Sequence, residues 1–178
     1  PFKQFGISPS YKWIKLHAGY RNVTFSKYSL SNVTFLGGGI ELTPGLLRFG
    51  AVYGVFNKAV TEDTTLLHYG NSNLNKPSFK REGYAVKLGY GKTSYFDVII
   101  FRGRDLIGSI KEPLFSSITP EENLIVAFAA KRVITKNLFF SFDVAGSAYT
   151  YDRNSEVIPL GTSDYTKYLF KVFIPRVS

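Results

Sequence analysis

Leu47-Arg48-Phe49-Gly50-Ala51-Val52-Tyr53-Gly54-Val55 alternates almost strictly. Its odd positions are apolar. Its even positions carry Arg and two Gly, with Val52 as the exception. Successive side chains of a strand point to opposite faces, so a period of two predicts a strand with one apolar face and one small or polar face. The same period returns in Tyr84-Ala85-Val86-Lys87-Leu88-Gly89-Tyr90, where the large apolar residues are all even. It returns again in Leu138, Phe140, Phe142 and Val144 against Ser141, Asp143, Ala145 and Ser147, with Phe139 out of step. Near the start, Ile14, Leu16, Ala18 and Tyr20 alternate with Lys15, His17, Gly19 and Arg21.

Working outward, the pattern predicts eight strands, near 12–21, 34–43, 46–57, 83–91, 94–104, 122–133, 137–150 and 165–174. Three connections are tight turns: Thr43-Pro44-Gly45, Gly91-Lys92-Thr93-Ser94 and Ile134-Thr135-Lys136-Asn137. The other four, 22–33, 58–82, 105–121 and 151–164, are long. Short and long connections therefore alternate. That is the habit of an outer-membrane barrel, with short turns at one end and long external loops at the other. Most of these strands exceed the roughly 5 or 6 residues usual in globular proteins and approach the roughly 9 to 11 of a tilted membrane strand. No run nears the ~18 apolar residues of a spanning helix, so a membrane could be crossed only by a closed barrel. The expected fold is all-β: an antiparallel up-and-down transmembrane β-barrel, with the chain 1–178 as one domain or a fragment of one.

Alternation alone leaves open which face points outward. A soluble, lipocalin-like ligand-binding barrel would exchange the two faces. Against it, the polar face is Gly, Ala and Ser with a few full charges, thinner in Lys, Glu and Thr than a water-facing surface. A lipocalin pattern also wants a helix after its last strand, and none is read before Ser178. With lipid outside, the charges expected to face the lumen are Lys15, Arg21, Glu41, Arg48, Lys87, Asp97, Lys131, Asp143, Lys167 and Lys171. Seven are positive, so an open lumen would favour anions. The competing reading is a set of ion pairs tying strands together. Arg102, Arg132 and Lys136 lie near strand ends and read as interfacial or turn residues.

Other chemistry finds little support. The chain has no Cys and two His, far apart, without metal-ligand spacing. No cofactor and no metal are expected. Gly91-Lys92-Thr93 lacks the Gly that a phosphate-binding loop needs at position 86, which is Val. Gly37-Gly38-Gly39 lacks Rossmann spacing and reads as a bend or a close backbone approach. No residues are positioned by sequence for nucleophilic catalysis, so an enzyme is not expected. The net charge of +9 invites a nucleic-acid partner. The basic residues are dispersed, with no run longer than Lys80-Arg81 or Lys131-Arg132, and nucleic acid is not expected either. Asn22-Val23-Thr24-Phe25 and Asn32-Val33-Thr34-Phe35 echo each other. The Ser-Lys-Tyr-Ser-Leu-Ser segment between them is expected to fold inward as a constriction or to cap the outside.

The run Trp13 to Val60, WIKLHAGYRNVTFSKYSLSNVTFLGGGIELTPGLLRFGAVYGVFNKAV, resembles large outer-membrane barrels of Bacteroidota. The resemblance covers about a quarter of the chain closely and carries over no functional residue. It implies the outer membrane of a Gram-negative bacterium, surrounding lipid, and either a porin-like channel or a scaffold barrel of a secretion or assembly complex. Protein partners would then meet the long loops. Bacterial barrels commonly end on a strand closing in Phe or Tyr. This chain closes on Phe173-Ile174-Pro175-Arg176-Val177-Ser178, and Phe2-Lys3-Gln4-Phe5-Gly6-Ile7 reads as the tail of an earlier strand. Both ends suggest a piece of a larger barrel.

Overall fold

A computed structural model describes residues 5–61, 77–111 and 118–151, and the backbone of 169–173. Among these residues there is no helix. The strands are β1 (Gly6–Ile7), β2 (Ser10–Tyr11), β3 (Ile14–Val23), β4 (Val33–Leu42), β5 (Leu47–Asn57), β6 (Arg81–Gly91), β7 (Tyr95–Asp105), β8 (Glu122–Thr135), β9 (Leu138–Thr150) and β10 (Leu169–Phe173). They form one antiparallel sheet in the order β1-β3-β4-β5-β6-β7-β8-β9-β10, with β2 also against β3. From β3 onward each strand pairs with the next in sequence, an up-and-down meander. No ladder joins β10 to β1 among the described residues, so the sheet is open.

All eight expected strands are present. The first starts two residues later than its alternation suggested. Lys12, at φ 52°, and Trp13 form a two-residue turn between β2 and β3. The last is described over Leu169–Phe173, and β1 and β2 are additional. Two of the three tight turns use Gly at positive φ, Gly91 at 117° and Gly45 at 64° beside Pro44, whose carbonyl accepts from Leu47 N at 3.0 Å. The strand ends joined by the long connections 58–80, 106–121 and 151–168 lie at the opposite end of the sheet from these turns. Much of them, including most of the expected loops 58–82 and 151–164, lies outside the described residues.

The two faces differ in kind. One carries rows of apolar side chains in register: Ile14, Leu42, Phe49, Leu88, Val98, Phe128 and Val144, then Leu16, Ile40, Ala51, Val86, Ile100 and Val126. This face is exposed or half-exposed, with Leu88 at 55% and Tyr90 at 65%. The other face is largely buried, and its core sets four alanines, Ala85 and Ala127 at 0% among them, beside Val52, Phe35 and Ile99. One of its rows runs Gly6, Gly19, Gly37, Gly54, Gly83 and Gly103 across six strands. A Cβ at Gly54 would sit 2.5 Å from the Leu36 carbonyl oxygen, and one at Gly37 would sit 2.1 Å from that of Tyr53. No side chain fits there. Bare backbone lets neighbouring strands approach and the sheet bend, as glycines do at barrel corners. The Phe56 and Phe101 rings, 5.3 Å apart edge to face, pack over the Gly83 and Gly103 end of this row.

Candidate functional site

The buried face is covered by the connection between β3 and β4. The echoing Asn-Val-Thr-Phe stretches form its neck. Val23 pairs with Val33, Asn22 with Thr34, and Asn32 N donates to Thr24 Oγ1 at 2.9 Å. Beyond the neck the chain turns over the sheet. Phe25 N donates to the Leu30 carbonyl at 2.8 Å, and Ser26 Oγ accepts from Ser29 N at 3.1 Å, closing a compact turn. Leu30 is 0% exposed and packs with Phe25 and Phe35 against Val52, Ala85, Ile99, Ala127, Ala129 and Ala145. The segment folds over the small, charged face of the sheet. The cause lies in the floor: Gly50 and the alanines leave room that Phe25 and Leu30 fill. The Phe25 ring comes within 3.0 Å of where a Gly50 Cβ would sit, on β5, and Lys27 N donates to Asp143 Oδ2 at 3.0 Å, on β9. One short segment thus touches strands four steps apart, and the sheet curls round it as large twisted sheets do.

The charges of this face lie around the segment. Arg48 on β5 grips Asp97 on β7 with two hydrogen bonds, 2.7 and 2.9 Å, and its guanidinium stacks 4.2 Å from the Tyr95 ring centre. Asp97 is 1% exposed, so this pair bridges two strands across the bare backbone of Gly89. Glu41 on β4 accepts from Lys15 at 3.4 Å and meets His17 Nε2 at 2.8 Å, while His17 Nδ1 lies 2.8 Å from Ser8 Oγ. Arg21 donates to the Gly6 carbonyl at 3.3 Å. Lys87 has no ion pair among the described residues. It is buried and lies 4.6 Å from the Phe25 ring. Lys131 lies 4.7 Å from the Phe139 ring. Asp143 holds the tip of the segment, and its Oδ1 is buried without a partner among the described residues. Lys171 pairs in register with Ser147. Lys167 lies outside the described residues.

Eight of the ten expected residues therefore share the buried face, yet they are not a uniform basic lining. Lys15 and Arg48 are matched by Glu41 and Asp97, which gives weight to the strand-tying alternative. The cations without a carboxylate partner among the described residues are Arg21, on the Gly6 carbonyl, and Lys87 and Lys131, each against a ring. Two groupings were missed by sequence reasoning. Arg81 binds Asp105 through 2.7 and 2.9 Å bonds and Glu121 at 2.8 Å, at the long-loop end. Ser8, His17 and Glu41 form a chain of contacts resembling a hydrolytic triad. Ser8 precedes Pro9, however, which lacks the N–H that a residue after a nucleophile supplies to an oxyanion. The contacts instead fasten the segment between β1 and β2 onto β3 and β4. Among the described residues, no three His, Asp or Glu side chains gather to hold a metal.

On the exposed face, Arg102 bonds Glu122 at 2.6 Å and Lys80 bonds Glu82 at 2.7 Å, close to the long loops. Arg132 is exposed on β8 and Lys136 in the turn after it. No family model matches this chain, and no curated protein or solved structure does.

Proposed function

We propose that this chain forms part of the wall of a bacterial outer-membrane β-barrel and acts as a porin-like channel narrowed by the in-folded residues 24–32. One observation carries the reading: besides the apolar core around Phe35, Leu30 and Ile99, the opposite face of the sheet carries a second, larger set of big apolar side chains that stand exposed, Tyr53, Leu88, Tyr90, Phe96 and Phe128 among them, while Asp97, Lys87 and His17 are buried. Water-soluble sheets put their apolar side inward. On β6 the exposed apolar side runs from Tyr84 to Tyr90, six steps or about 20 Å. That is near the roughly 25 Å band between the aromatic girdles of a membrane barrel. Tyr53 and Tyr84 stand at one margin and Tyr90 and Phe96 at the other. The open edges of the sheet suit a larger barrel, since a spanning sheet leaves no edge in lipid.

Trp13 is the chain's one tryptophan. In a Trp13→Phe background, Leu88→Trp should be quenched by lipids brominated on their acyl chains. Ile107→Trp, in a long connection and 56% exposed, should be spared. Equal response at both positions, or a monodisperse protein without detergent, overturns the membrane reading.

The in-folded segment also favours a second reading, a plugged scaffold barrel of a secretion or assembly complex. Planar-bilayer conductance separates them. A channel conducts as it stands, with anion preference from the excess of basic over acidic residues on the buried face. A plugged scaffold is silent until Lys27–Leu30 is shortened.

A further inference from the structure

At the long-loop end of the exposed face, Tyr53, Glu82, Gly83, Tyr84, Arg102 and Arg104 line a recess of about 290 Å³. It sits at a boundary in the register. Below it lie the apolar rows through Val86 and Leu88. Within it the row Tyr53, Tyr84, Arg102 is followed by the row Val55, Glu82, Arg104, Glu122. A ligand seated here would meet charge at its head and hydrocarbon along its body.

The charges are unevenly matched. Glu82 is held by Lys80 at 2.7 Å, and Arg102 is held by Glu122 at 2.6 Å. Arg104 is exposed and has no hydrogen bond or ion pair among the described residues. It keeps its full fork of N–H donors, the geometry that matches phosphate oxygens best. Glu82 adds little repulsion, because Lys80 already neutralises it. Tyr53 and Tyr84, apolar in the ring and polar at the tip, are the residue type that settles at headgroup level.

We propose that this recess binds the phosphate of an anionic lipid, with Arg104 as its main contact and the acyl chains lying down the band over Val86 and Leu88. The proposal rests on the membrane reading above. It adds a specific lipid site to a face otherwise expected to meet lipid indiscriminately.

Detergent-solubilised protein is titrated with dioleoyl phosphatidic acid, dioleoyl phosphatidylcholine and inorganic phosphate, and bound lipid is counted by native mass spectrometry. Phosphatidic acid should bind more tightly than phosphatidylcholine. Arg104→Ala should weaken it about fivefold, the worth of one basic residue at a charged membrane surface. Arg132→Ala, at the far end of the exposed face, should leave it unchanged. Equal binding of the two lipids, or an unchanged Arg104→Ala, overturns the site. Displacement of the lipid by an equal concentration of inorganic phosphate assigns the recess to a free anion and overturns the lipid. The two proposals fail separately. An unquenched Leu88→Trp removes the membrane itself, whereas quenching with an unchanged Arg104→Ala removes the lipid site alone.

Discussion

The two faces of one sheet are made by the same strands and differ in nearly every physical respect. On β6, Tyr84, Val86, Leu88 and Tyr90 stand exposed, while Gly83, Ala85, Lys87 and Gly89 between them are buried. The exposed side is large and apolar. The buried side mixes Gly and Ala with Val52, Ile99 and Phe35 and with Phe25 and Leu30 of the covering segment, and its charges are paired or set against rings. A protein stabilised only by hiding hydrocarbon from water would not leave the larger apolar set outside. Two kinds of energy are therefore at work. The buried side depends on close backbone approach and hydrogen-bonded charge. The exposed side contributes stability only when something apolar covers it.

Substitutions can break this contrast, and the largest effect is expected on the buried side. Asp97→Ala leaves the Arg48 guanidinium beside Tyr95 without its carboxylate. It should cost about 3–5 kcal/mol, the usual result of removing one partner from a buried pair. Denaturant unfolding in detergent measures it, and Arg48→Met combined with Asp97→Leu should recover most of the loss. Gly54→Val should cost about 3 kcal/mol through overpacking, because its Cβ would collide with the Leu36 carbonyl. A loss below 1 kcal/mol would mean that the glycine row tolerates side chains. On the exposed side the effect depends on the surroundings. Leu88→Lys should cost about 2–4 kcal/mol in a bilayer, against about 0.5 kcal/mol or less for a surface change in water. Tyr90→Lys, at the margin, should cost about 1 kcal/mol or less in the bilayer. Equal, small costs at both positions would erase the distinction between mid-band and margin.

Much of the sheet was legible because its signals are local. Alternation is written in adjacent residues, and Pro44-Gly45 and Lys136-Asn137 are turn chemistry at fixed offsets. The inward set was legible as well: once one face is named, parity names its members, and Lys15, Glu41, Arg48, Lys87 and Asp97 follow. What parity could not supply was pairing. Arg48 and Asp97 are far apart in sequence, and their contact depends on the register of β5, β6 and β7 together. Arg81 with Asp105 and Glu121 was hidden for the same reason, compounded by its place at strand ends, where alternation fades. Ser8 gave no signal, since a hydroxyl between two very short strands looks like any turn residue.

Eight strands, the tight turns, the alternation of short and long connections, and the division into two unlike faces are written in the amino-acid order. These follow from side-chain direction and local backbone preference, which act over a few residues. That the apolar face is the exposed one emerges when the strands are assembled. Assembly also decides that residues 24–32 fold back to cover the other face, and that six glycines spread along most of a hundred positions fall into one row. The reason is physical. Register is set by hydrogen bonds between strands, and the fate of a connection is set by the space opposite it. Neither quantity belongs to any single stretch of chain.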